Sequence, residues 1–176
     1  MTKAIWNVDT AHSTVGFSVR HMMISNVKGT FNEFQGTIEA DPEDLTGASI
    51  DFTIEANSID TRKADRDNHL RSADFFDVEK YPHLSFKATK IEETSKDTYD
   101  LTGDFTIRDT TKPVTFNVTY EGMAKDPMSG DQAAGFTGNT KINRRDFGLT
   151  WNAALETGGV VVSDEVKINI EIQLRK

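Results

Sequence analysis

Val166-Lys167-Ile168-Asn169-Ile170-Glu171-Ile172-Gln173-Leu174 alternates apolar and polar residues without interruption. In an extended strand residues i and i+2 share a face, so Val166, Ile168, Ile170, Ile172 and Leu174 form a dry side opposite a wet one. The same period of two recurs upstream in Val15-Phe17-Val19, Phe34-Gly36-Ile38, Ile50-Phe52-Ile54 and Leu84-Phe86-Ala88. It returns in Leu101-Gly103-Phe105-Ile107, Val114-Phe116-Val118-Tyr120 and Phe136-Gly138-Thr140-Ile142. Eight such strands leave too few residues for helices that could cover a sheet. The dry faces must therefore meet each other, in a sandwich or a closed barrel.

A chain of 176 residues predicts a single all-β domain over residues 1–176, because barrels of this size commonly form one unit. The net charge of −8 argues against a phosphate backbone or an anionic membrane surface as partner, because both need a basic patch, though local basic groups could still hold a small anion. No glycine-rich phosphate loop or basic-aromatic interleave is present, so no nucleic acid is expected. There is no cysteine, which excludes disulfides. Met1 to Asn7 has no apolar leader core, which predicts a cytoplasmic protein, and no run of apolar residues is long enough for a transmembrane segment.

Turn signals punctuate the strands: Asp41-Pro42-Glu43-Asp44 with Thr46-Gly47, Glu93 to Asp97, Thr110 to Pro113, a polar loop from Glu121 to Asp131, and Gly158-Gly159. Short loops between antiparallel strands read as an up-and-down meander. One segment breaks the pattern. Residues 61–77, TRKADRDNHLRSADFFD, carry dense charge and no period of two. They fit one or two helical turns, with Ser72 as an N-cap and Asp74 in the first turn, before Tyr81-Pro82 starts the next strand. Such an insertion lies across one open end of a barrel, or is a surface excursion.

His12, His21, His69 and His83 show no metal-ligand spacing, so no metal and no cofactor is expected. Asp9, His12 and Ser13 invite a hydrolase reading, but neighbours on a strand point to opposite faces and no nucleophile elbow exists. No catalytic residue is assigned. Gly36, Gly103 and Gly138 share the register of bulky apolar neighbours. They either relieve bending at barrel corners or leave space for a ligand. His21 extends the Val15-Phe17-Val19 register to the end of an apolar wall.

Ordered blocks along the chain add a resemblance. They are Trp6-x2-Asp9-x2-His12-Ser13, Phe17-Ser18-Val19-Arg20-His21-Met22, Val27-Lys28-Gly29-Thr30-Phe31 and Arg66-Asp67-x-His69-Leu70-Arg71-Ser72-x-Asp74-Phe75-Phe76-Asp77 with Tyr81-Pro82. Gly103-Asp104-Phe105-Thr106-Ile107-Arg108, Thr111-Lys112 and Ile142-Asn143-Arg144-x-Asp146-Phe147-Gly148 follow. As a set they resemble the YceI-like proteins, the polyisoprenoid-binding, lipocalin-like family. Asp109 departs from a glycine common at that place, so the turn is built differently.

The resemblance implies an eight-stranded antiparallel up-and-down (lipocalin-like) barrel with a short helical insertion. It also implies a long apolar pocket for a polyisoprenoid, such as a quinone tail or prenyl phosphate, or for another amphiphile. Several relatives carry a signal peptide; this chain shows none, in keeping with a cytosolic member. On register and motif position, the wall is expected from Phe17, Val19, Phe34, Ile38, Phe52, Ile54, Phe86, Phe105, Phe116 and Phe136, with Trp151 near one end. His21, His69 and Arg144 would meet the head group, Arg suiting a pyrophosphate and neutral His a quinone oxygen. The expected role is a non-catalytic carrier or sequestering protein. The alternatives are an enzyme acting on a lipid through His12, Asp9 or His69, and a packed-barrel stress or interaction protein. Exposed strands would also allow a homodimer.

Overall fold

The strand order closes on itself. The computed structural model describes residues 3–153 and 161–176. Among these, β1 (Ala4–Val8), β2 (Thr14–His21), β3 (Ser25–Phe31), β4 (Phe34–Asp41), β5 (Asp44–Glu55) and β6 (Ile59–Asp60) precede the helix α1 (Ala64–Arg71). Then follow β7 (His83–Ser95), β8 (Thr98–Ile107), β9 (Thr110–Lys125), β10 (Gln132–Asn143) and β11 (Val162–Arg175). From β4 to β11 the long strands form an antiparallel meander, β4-β5-β7-β8-β9-β10-β11. The seam is made by β1, which pairs with β4 (Trp6 opposite Ile38) and with the end of β11 (Val8 opposite Leu174).

Eight staves result, though not from eight simple strands. β1 and β2 both run antiparallel to β11 and make one stave, interrupted by a 3₁₀ turn at Thr10–His12. β3 pairs with β2 and β4 with β1, so these two, separated by Asn32 and Glu33, make the next. Of the alternating segments in the sequence, each falls in a strand, and β1, β3 and the two-residue β6 come in addition. The loop expected from Glu121 to Asp131 is shorter, because β9 continues to Lys125 and β10 begins at Gln132. Thr46-Gly47 lies within β5 rather than in the turn before it. Gly158-Gly159 falls outside the described residues.

The two ends differ. At one end Trp6, Ala40, Leu45, Tyr99, Ala134 and Leu174 are all nearly or fully buried and form a floor. At the other end the β2–β3 hairpin runs on past β5, whose pairing with β4 stops at Phe34 and Ile54. β6 pairs with β3 there, and α1 follows at once, so the insertion lies across the open end. The helix sits earlier than the capping pattern suggests. Its N-cap is Lys63, with no side-chain cap bond, and Asp65 and Asp67 face its positive end. Ser72 closes the C-terminus instead, its hydroxyl donating to the His69 carbonyl at 2.6 Å.

Candidate ligand cavity

Inward-facing residues toward the floor are buried, whereas Phe17, Val19, Phe52, Phe86, Ile142, Val166 and Ile170 share the inward register and are only half-buried. A closed barrel denies these side chains outside solvent, so their accessible surface faces an internal space. That space is a cavity of about 360 Å³. Ligand cavities typically fall in the range of ~300–1,000 Å³.

Its middle is aromatic. The Phe86 ring meets Phe105 and Phe116 edge-on at 6.2 and 5.3 Å between centroids. Phe17, Ile38, Phe52, Ile54 and Phe136 complete the wall with Val19 nearer the mouth. Phe34 does not reach it: the residue is buried behind Phe52, stacked at 5.6 Å. The inward glycines seat neighbouring side chains and do not widen the hollow. A Cβ on Gly103 would lie 2.5 Å from the Phe86 ring and from the Lys87 carbonyl; one on Gly36 would strike Phe52, and one on Gly138 would strike Ile170.

The mouth combines the insertion, the β10–β11 connection and the end of β2. His69 stands perpendicular to Trp151 at 4.7 Å and to Phe75 at 5.1 Å, while its Nε2 pairs with Asp74 Oδ2 at 2.9 Å. His21 closes β2 opposite Val162 of β11. Beneath α1, buried Asp67 accepts from the Thr61 amide at 2.9 Å and from its hydroxyl, and Arg66 Nε donates to that hydroxyl at 2.7 Å. This ties the start of the helix to the end of β6.

Arg144 borders the cavity, but its guanidinium is committed to the backbone. Nε donates to the Ser163 carbonyl at 2.9 Å, Nη1 to Leu149 at 2.6 Å and Nη2 to Val162 at 3.2 Å. Burial draws its pKa down, opposed by Asp164 at 3.8 Å. The group expected at a head group therefore holds the turn Arg144–Phe147 against the start of β11.

Beyond His69, sequence reasoning missed what the insertion contributes to the cavity. Leu70, Phe75 and Phe76 line the cavity with Thr61 and Arg66, and Leu149 and Val161 join from the connection. The pair Phe75-Phe76 within a charged stretch was the available signal. Elsewhere, Asp9 and His12 are paired at 2.9 Å, but the Ser13 hydroxyl is held by the Gln173 backbone rather than by His12. Among the described residues no three His, Asp or Glu converge as metal ligands, and no helix is long and apolar enough to cross a membrane.

A closed eight-stranded antiparallel barrel with an apolar interior defines the lipocalin-like class of barrels. Within it, the chain belongs to the YceI-like family, whose domain model matches residues 6–174. A UPF0312 protein of Staphylococcus epidermidis is 43% identical over 95% of this chain and 94% of its own. A UPF0312 protein of Staphylococcus aureus is 38% identical over 90% of each. Among solved structures, Burkholderia cenocepacia BcnA superposes with a TM-score of 0.82 at 26% identity, covering 94% of this chain and 98% of that one. The Campylobacter jejuni YCEI protein gives 0.75 at 34%, covering 96% and 95%. A polyisoprenoid binding domain from Saccharophagus degradans shares the fold, with a TM-score of 0.71 at 13% identity over 96% and 97%.

Proposed function

We propose that this protein, acting as one domain, binds the hydrocarbon chain of an amphiphile, a prenyl lipid in the first instance, as a non-catalytic carrier. The observation that carries this reading is the hollow itself: half-buried Phe, Val and Ile side chains facing an apolar space of about 360 Å³ that opens at the mouth. Each methylene moved there from water gains about 0.8 kcal/mol. The fold shared with a polyisoprenoid binding domain supports the choice of ligand class.

The volume sets a length. At the ~10–15 Å³ of such open space that one water needs, the cavity seats roughly 24–36 water-sized units, fewer than the carbons of a forty-carbon chain. A polyisoprenoid of forty carbons or more would therefore leave part of its chain outside the mouth. The head group would lie near His21 and His69, where a neutral imidazole can donate or accept.

Native mass spectrometry of gently purified protein, followed by solvent extraction and titration with farnesol and solanesol, tests this. One amphiphile per chain, with farnesol bound at least as tightly as solanesol, is the expected result. Protein that carries no extractable lipid and takes up neither alcohol would end the reading.

A further inference from the structure

The tip of the β2–β3 hairpin stands at the mouth, and three adjacent apolar residues there face solvent: Met22 at 43%, Met23 at 51% and Ile24 at 76% exposure. The turn that presents them is an unfavourable one for these residues. The Ile24 amide donates to the His21 carbonyl at 3.2 Å, so Met22 and Met23 are the two central residues, with φ of 53° and 64°. Tight hairpins with two left-handed central residues favour Asn-Gly, which adopts that geometry without a Cβ clash. Strain of this kind, at an exposed apolar tip beside a cavity, points to a function for the side chains.

Charge singles out the same hairpin. Asp and Glu make up 28 of 176 residues, about one in six, yet none falls between Asp9 and Glu33. Arg20 and Lys28 flank the tip, and Arg20 Nη2 reaches the Met23 carbonyl at 3.4 Å. On a chain of net charge −8, the hairpin is a cationic, apolar-tipped projection. Val19 and His21, immediately before the tip, border the cavity.

We propose that this hairpin docks on an anionic bilayer surface, the Met22-Met23-Ile24 tip entering the interface and Arg20 and Lys28 meeting lipid phosphates. Apolar insertion combined with basic flanks is how peripheral elements hold such surfaces. The remaining acidic surface is repelled, and screening confines attraction to about 8 Å at physiological salt. Docking is therefore weak, salt-sensitive and oriented with the mouth toward the lipid. The proposal rests on the carrier reading only for its purpose, since it names where a ligand would enter.

Flotation of the full chain with phosphatidylcholine vesicles, with and without phosphatidylglycerol, reads docking directly. The parent should float with the anionic vesicles and release at high salt. Ile24→Asp should lose at least tenfold of that binding. Met22→Asn with Met23→Gly should lose it too while raising the melting temperature, which separates docking from folding. Parent protein that ignores both vesicles, or an Ile24→Asp variant that floats like the parent, overturns the proposal. So does sedimentation showing a parent dimer that Ile24→Asp splits, which would make the tip a contact between copies. Farnesol uptake without vesicles is the separate arm: its loss in the parent sinks the carrier reading and leaves docking standing.

Discussion

Asp9 lies at the floor end, 11% exposed, with Arg175 Nε 2.6 Å from its Oδ2 and His12 on the same oxygen at 2.9 Å. The Arg175 hydrogen bond leads in lowering its pKa from 3.8 to about 2, against burial, which raises it. A depressed carboxylate pKa stabilises the fold fully above its unfolded value and loses that contribution as pH falls through the folded one. Asp9→Asn should therefore cost on the order of 1–2 kcal/mol near neutrality, after allowance for solvent screening. Urea denaturation across pH should show the gap from the parent closing between about pH 4 and pH 2. At the mouth, Arg144→Ala takes the guanidinium from the Ser163 and Leu149 carbonyls, while Val162 keeps its bond from Asn152 Nδ2; it should destabilise by about 1–3 kcal/mol, with Arg144→Lys a poor rescue because an ammonium cannot fork. Full stability of Arg144→Ala in the same assay would contradict the structural role. The motif position of Arg144 was legible in the sequence. Which oxygens it meets was not, because those carbonyls are placed by the turn at Arg144–Phe147 and by β11.

The inserted segment shows the same limit for an element. Its helical character was readable from broken alternation, but its register was not, since the N-terminus is held by bonds from inside the helix back to Thr61 rather than by a side chain at the N-cap. Asp67 supplies them, accepting from both the amide and the hydroxyl of Thr61. Asp67→Ala should loosen α1 locally, by about 1–3 kcal/mol for the stranded donors. Hydrogen exchange would report this as faster exchange confined to residues 61–72, with bound farnesol leaving faster while barrel strands stay protected. Uniform loss of protection would show that the insertion is integral to barrel stability. β1 escaped notice because Ile5, 61% exposed, fills what would be a polar place in the alternation Ala4-Trp6-Val8. β3 escaped because Gly29 occupies its inward register, where a Cβ would meet Phe17 and Thr61.

For the whole molecule, the alternating segments narrowed the architecture to a sandwich or a closed barrel, and the family resemblance supplied the barrel; of the ten side chains expected on its wall, all but Phe34 border the cavity. Periodicity could not tell a hollow from a packed interior, because that depends on how side chains share volume across the barrel. Filling the hollow is the direct test. Val166 lies inward on β11, opposite Val19 and Ile142, and is half-buried against the cavity. Val166→Phe should fold cooperatively, within about 1–3 kcal/mol of the parent, and lose farnesol uptake in a fluorescence titration. Unchanged uptake would place the ligand elsewhere. Gly103→Phe would be a poor substitute, since its Cβ meets the Lys87 carbonyl and damages the strand pair. The sealed floor of Trp6, Ala40, Tyr99 and Leu174 carries one more consequence. Among the described residues the hollow opens at one end, which makes the barrel a cup and not a conduit, so a guest must back out the way it came before another can take its place. Exchange should then follow the departure rate of the resident molecule, whatever the concentration of newcomers.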